Sequence, residues 1–231
     1  MQFPFNRINK FLQSSGISEG IFSVWGDIGV GKTTFSIQTA VNSALKGDRV
    51  IFIYTKKSFP FEKLDIFIQN TNQKFLDNII FIHSIDFNDL FNLIFHLELI
   101  ILNDLRTHKV AMIIIDSITD LYRLELSIDK KEKNFILNYK LNYLLANLSY
   151  LNKEYGINIL VVNDSSRKSE NDQIVEIQSG GKVMEYWIPI TIKIARLDSL
   201  NNRKIFLQDV EKNKTIEVNS TLTIKGFKEI F

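Results

Sequence analysis

The run Gly26-Asp27-Ile28-Gly29-Val30-Gly31-Lys32-Thr33 has the spacing G-x-x-x-x-G-K-[ST]. The apolar run Ile21 to Trp25 precedes it, and a segment of helical character, from Thr34 to Leu45, follows. Strand, glycine loop and helix together form the context in which this spacing cradles phosphates. Glycines let successive backbone N–H groups curl round a polyphosphate, and a helix N-terminus adds partial positive charge. The run from Gly26 to Thr34 is therefore expected to bind a nucleoside triphosphate. Lys32 would reach the β- and γ-phosphates, and the Thr33 hydroxyl would hold Mg²⁺. A second signal is the apolar run Met112 to Ile115, which ends in Asp116. An acid there supports Mg²⁺ or its water ligands; the competing reading is a helix cap. The guanine-reading pattern N-K-x-D is missing, since Asn213-Lys214-Thr215-Ile216 lacks the acid. That favours ATP over GTP. His83, His96 and His108 have no metal-ligand spacing and read as structural.

The elements that would position these residues alternate along the chain. Strands are expected at Ile21 to Trp25, Arg49 to Tyr54, Asn78 to His83, Val110 to Ile115 and Ile157 to Val162. Several are apolar on consecutive residues, which marks strands covered on both faces and hence a parallel sheet between helices. Helices are expected at Thr33 to Leu45, Phe61 to Asn70, Phe87 to Leu105 and Phe135 to Glu154. In the last, Leu137, Leu141, Leu144, Leu148 and Leu151 alternate steps of four and three, so one face packs. Beyond about Lys182, Ile188 to Ala195, Lys204 to Val210 and Thr215 to Ile224 read as an antiparallel meander that extends the sheet.

At 231 residues and 45% hydrophobic content, the chain can build one sizeable core. A net charge of +2 provides no global basic field for nucleic acid. There are no cysteines, which excludes disulfides and fits a reducing compartment. No secretory leader is read at Met1 to Arg7, and Leu90 to Leu102 is short for a membrane span and carries Asn92, His96 and Glu98. A cytoplasmic protein with no membrane association is expected.

The run Ile115-Asp116-Ser117-Ile118-Thr119-Asp120-Leu121-Tyr122-Arg123-Leu124-Glu125 resembles the segment around the metal-side Asp in RecA/RadA recombinases, most closely the archaeal RadA paralogues called RadB. Ser15 to Ile21 resembles the family's entry before its first strand, and Ser84 to Phe87 a link present in RadB. Asn163 sits where the family has the Asn of a T-N-Q strand end. Ser179-Gly180-Gly181 resembles the segment after the second DNA loop, and Lys212-Asn213-Lys214 a lysine pair that reaches a neighbouring subunit's nucleotide. The resemblance runs from about Phe11 to the end. It implies an α/β fold: a RecA-type P-loop ATPase core across residues 1–231, with a mostly parallel central sheet flanked by helices and antiparallel C-terminal strands. Residues 1–10 read as an N-terminal extension. The implied ligands are ATP and Mg²⁺, with Asn163, Lys212 and Lys214 added to the nucleotide-binding set. The implied role is assistance to homologous recombination and DNA repair.

The chain departs from the family at two catalytic positions. The family's catalytic glutamate follows the second strand; here Tyr54-Thr55-Lys56-Lys57 places Lys56 on it. A charged lysine cannot take a proton from attacking water, and loss of a general base lowers the rate on the order of 10²–10⁴-fold. Glu62, one turn into the next helix, is the candidate substitute. Asp164 replaces the glutamine that senses the γ-phosphate. Binding with weak or absent hydrolysis is therefore expected. The alternatives are a DNA-stimulated ATPase, a KaiC-like signalling ATPase, and an interaction protein that nucleotide only stabilises.

For single-stranded DNA the candidates are Arg123, Lys130, Lys131 and Lys133, diluted by Glu125, Asp129 and Glu132. Arg167 and Lys168 join them from the matching second loop, Ser165 to Gln178, which also holds Glu170, Asp172 and Glu176. A solvated charge run explains the lysines equally well. No helix-hairpin-helix or Phe-x-x-Ala docking segment is read upstream, so a RadA-type recombinase or another protein partner is expected rather than a self-filament. The helix from Phe87 is apolar over more than one stripe, which suits either burial or an exposed partner face.

Overall fold

The computed structural model describes residues 1–69, 73–104, 109–127, 129–170 and 173–230. The expected helix ends at Asn70 and Leu105, together with His108 and Asp172, lie outside them. A first helix α1 (Asn6–Ser14) leads into β1 (Ile21–Gly26), α2 (Lys32–Ala44), β2 (Arg49–Tyr54) and α3 (Phe61–Ile68). A 3₁₀ turn at Gln73–Asn78 precedes β3 (Ile79–His83), α4 (Phe87–Asp104), β4 (Val110–Asp116), α5 (Ile118–Glu125) and α6 (Lys131–Tyr155). Next come β5 (Asn158–Glu170), β6 (Gln173–Gln178), α7 (Gly181–Trp187), β7 (Ile190–Arg196), β8 (Asn202–Asp209), β9 (Lys214–Thr223) and β10 (Gly226–Glu229).

The sheet runs β10-β9-β8-β7-β1-β5-β4-β2-β3. From β7 to β3 every pairing is parallel, and β7 to β10 are antiparallel. The consecutive apolar residues of the inner strands divide between two faces, because side chains alternate along a strand. Val50, Phe52, Met112, Ile114, Leu160 and Val162 enter the core beneath α1 and α2. Ile51, Ile53, Ile113, Ile115, Ile159 and Val161 enter the core beneath α4, α5 and α6. This is the physical content of the doubly covered pattern.

Four features differ from the expected layout. Residues 1–10 pack inside: Phe3, Phe5 and Ile8 are buried, and Phe5 stacks edge-on to Phe227 at 5.7 Å. The segment Ser165 to Gln178, expected as a loop, is a hairpin in which β5 continues past the sheet edge and pairs antiparallel with β6. α5 is a helix opened by Ser117, whose side chain accepts from the Asp120 N–H. β10 adds a strand beyond Ile224 that pairs with β9. α4 is buried on one side and exposed on the other. Leu90, Ile94, Leu97 and Ile101 are buried, whereas Phe95, Leu99 and Leu102 are exposed. Phe95 stacks on Tyr143 of α6, which stacks in turn on Tyr139.

The aromatic cluster of Phe3, Phe5, Phe35 and Phe227 ties the N-terminal segment to α2 and β10. Phe5→Ala should cost about 3–5 kcal/mol and lower the melting temperature by roughly 10 °C in thermal denaturation. A change below about 1 kcal/mol would mean that the segment is peripheral to the core.

Candidate nucleotide site

The register of three strands builds the site. Gly26 at the end of β1 pairs with Asp164 of β5, Val162 of β5 pairs with Asp116 of β4, and Asp116 pairs with Tyr54 of β2. The glycine loop, the acid of β4 and the segment after β2 therefore meet at one C-terminal sheet edge, where open α/β sheets place ligands. A cavity of ≈ 1110 Å³ opens there, lined by Gly29, Gly31, Lys32, Thr33 and Thr34 among others.

The loop is held from behind. Arg196 of β7 donates to the Ile28 carbonyl at 2.8 Å, and Ser165 donates to the Asp27 carboxylate at 2.8 Å. Gly26, at φ 146°, has no room for a side chain, because a Cβ would lie 2.3 Å from the Ile194 carbonyl oxygen. Gly31, at φ 107°, caps α2 and delivers Lys32 and Thr33 to the cavity on the first turn. The Lys32 ammonium is buried and donates to the Gly26 and Asp27 carbonyls at 2.7 and 2.9 Å. It also forms an ion pair with Asp164 at 2.8 Å.

Asp116 is fully buried. Ser36 of α2 donates to one of its oxygens at 3.1 Å, and the Thr33 hydroxyl also bonds the carboxyl. The other oxygen, Oδ1, has no partner. Burial pushes this carboxyl above its ordinary range, while the Lys56 charge opposes that. An orphaned buried carboxylate oxygen beside a Thr hydroxyl fits Mg²⁺: hard oxygen donors close to a phosphate loop suit that ion. Thr55 braces this edge, donating to the Ser117 carbonyl at 2.9 Å and accepting from the Ser117 N–H at 2.8 Å.

Across the cavity, Lys56, Lys57, Lys63 and Arg123 join Lys32 as lining cations, facing the carboxylates Asp120 and Asp164. Lys56 lies 3.8 Å from Asp120, and Arg123 lies 3.7 Å from Asp164. The two carboxyls lie side by side. Burial, then the charge of Asp164, pushes Asp120 up; burial also opposes ionisation of Asp164, but the bond and charge of Lys32 outweigh it and hold Asp164 down. Sequence reasoning missed Asp120 and Lys63. The signal for Asp120 was Ser117-Ile118-Thr119-Asp120, an S-x-x-D helix start that carries the acid onto the first turn of α5.

Other expected site residues lie elsewhere. Asn163 is fully buried, accepting from Thr119 and donating to the Ser179 carbonyl, so it joins α5 to the Gly180 turn and does not face the cavity. Lys212 and Lys214 sit at the β8–β9 turn, where Lys212 donates to the Ser15 carbonyl. β7 starts beside the start of β1 and Asp209 pairs with Ile190, so that turn is at the opposite sheet edge. It is about 20 Å, the length of β1, from this chain's own glycine loop. Glu62 is exposed on the first turn of α3, and its neighbour Lys63 is the residue that lines the cavity. Of the basic candidates, Arg123 belongs to the cavity rim. Lys130, Lys131 and Lys133 are exposed at the start of α6, with Lys133 3.7 Å from Glu125. Arg167 and Lys168 are exposed on the hairpin, and Arg167 pairs across it with Glu176.

The sequence model of the Rad51 family matches residues 5–203. The chain is 32% identical over 222 residues to a DNA repair and recombination protein RadB of Methanococcus maripaludis, covering 94% of this chain and 93% of the relative. It is 31% identical over 185 residues to the protein of the same name from Methanocaldococcus jannaschii, covering 80% and 81%.

A raised carboxyl value means that the contribution of Asp116 to stability is largest where it is protonated and is lost as pH rises through its folded value. Asp116→Asn should therefore stabilise the nucleotide-free protein at neutral pH by about 1–3 kcal/mol, a difference that shrinks in acid. The same variant should lose any Mg²⁺-dependent stabilisation by nucleotide. Thermal melts across pH check this; a variant less stable than the wild type at neutral pH would contradict it.

Proposed function

The chain belongs to the Rad51 family and is RadB-like, and from that premise we propose that it is an ATP-binding paralogue that assists homologous recombination and DNA repair, with weak or absent hydrolysis. The observation that carries this reading is the composition of the cavity. Lys32, Thr33 and Asp116 form a complete set for phosphate and Mg²⁺, whereas Lys56 lines the wall where the family's general base belongs. Mg²⁺, when bound by Thr33 and Asp116, would screen the phosphate charge. The remaining lining carboxylates, Asp120 and Asp164, are engaged by Lys56 and Lys32. A carboxylate paired with an ammonium is a poor proton acceptor for water. Five lining cations against two carboxylates favour retention of a polyphosphate over its turnover.

In this reading residues 1–231 form one ATP-binding domain of a cytoplasmic protein. Among the described residues, no helix is long and apolar enough to cross a membrane. Lys212 and Lys214 serve a neighbouring subunit or partner, since their own site is at the far sheet edge. The basic residues of the β5–β6 hairpin and of the α6 start are the candidate contacts for single-stranded DNA. A second reading, an interaction protein stabilised by nucleotide, draws on the exposed Phe95, Leu99, Tyr139 and Tyr143 of α4 and α6. A recombinase of the RadA type is the partner that the family favours.

Single-turnover ATP hydrolysis, measured with and without single-stranded DNA and with Lys32→Ala as the blank, checks the reading. Turnover should stay within severalfold of the blank while ATP still binds. Lys56→Glu should raise it by about 10²-fold. DNA-stimulated turnover of the wild-type chain would instead make it a working recombinase-type ATPase.

A further inference from the structure

The ion pair on Lys32 has a consequence for which nucleotide the site holds. The phosphate-loop lysine ordinarily contacts the β- and γ-phosphates. Here its ammonium already has an anion, the Asp164 carboxylate at 2.8 Å, in addition to the two loop carbonyls. The β1–β5 register puts Asp164 opposite Gly26, so backbone pairing brings its carboxylate within reach of Lys32. Behind Asp164 stands Asp120, close enough for the two carboxyls to repel, with Lys56 at 3.8 Å from it. A phosphate held by the loop amides and the start of α2 would have the carboxylates Asp164 and Asp120 beside it in the same cavity.

We propose that the Asp164 carboxylate stands in for a γ-phosphate on Lys32, so that the site selects a nucleoside diphosphate over the triphosphate. A diphosphate fills the loop and leaves the Lys32–Asp164 pair intact. A triphosphate must displace Asp164 from Lys32 and then sits against both Asp164 and Asp120. Like charges a few ångströms apart in a partly dry cavity repel strongly. Arg123, 3.7 Å from Asp164, is the cation to which the displaced carboxylate would turn. This inference rests on the reading of the cavity as a nucleotide site and adds the phosphate class that it prefers.

The test is equilibrium binding of ADP and of a non-hydrolysable ATP analogue at one fixed Mg²⁺ concentration, by calorimetry, to the full chain and to Asp164→Asn. The wild type should bind ADP at least about tenfold more tightly than the ATP analogue. Asp164→Asn is isosteric; it should bind the ATP analogue about tenfold more tightly than the wild type does, and ADP no more tightly. Asp120→Asn keeps the Lys32–Asp164 pair and should shift the ratio in the same direction by less; it carries the test if the first variant does not fold. Equal wild-type affinities, or a variant that changes both ligands alike, would overturn this inference and leave the nucleotide site standing. Binding of neither nucleotide would sink the nucleotide reading itself, and the inference with it.

Discussion

The parallel pairing of β1 with β5, and of β5 with β4, is the constraint on which the rest of the structure depends. It sets Gly26 against Asp164 and Val162 against Asp116, so one row of backbone hydrogen bonds decides what faces the glycine loop. A slip of one residue would invert every side chain of β5. Asp164 would then leave Lys32, and Val161 would leave its core face. The buried apolar residues on both faces hold the register, so the polar edge inherits its geometry from hydrophobic packing.

That edge stores unfavourable electrostatics in return. Asp116 is buried with an orphan oxygen, and Asp120 and Asp164 press two carboxyls together beside four lysines and an arginine. Buried charge without full compensation is destabilising, and proteins tolerate it where a ligand supplies the compensation. Around this point Thr55, Ser36 and Asn163 all have partners.

The parts of this architecture that were legible in the sequence are those set by periodicity. The strands β1, β2, β4 and β5 show as apolar runs because burial on two faces leaves no other composition available. The hairpin of β5 and β6 was not legible, since Arg167, Lys168 and Glu176 read as a solvated loop and their pairing is local to a protruding ribbon. α1 was hidden for the opposite reason. Its anchoring aromatics, Phe3 and Phe5, precede the helix and are buried by Phe35 and Phe227, residues distant in sequence. In the site, the loop and Asp116 were legible as motifs. Which acid meets Lys32 was not, because that depends on strand register, and the position of Lys212 at the far edge depends on the direction of β8.

The three charged positions that distinguish the cavity are best understood as one change and not three. Lys56 on its own would leave an uncompensated cation at the sheet edge. Asp164 on its own would set a carboxylate against incoming phosphate. Together with Asp120 they form a chain from Lys56 through Asp120 and Asp164 to Lys32, in which each charge has an opposite neighbour. Such a chain leaves that wall of the cavity nearly neutral. It also means that reverting Lys56 alone removes a partner of Asp120 and places three acids around one site. The gain from Lys56→Glu alone should therefore lie at the low end of what a general base contributes, and the coupling between these positions should be non-additive.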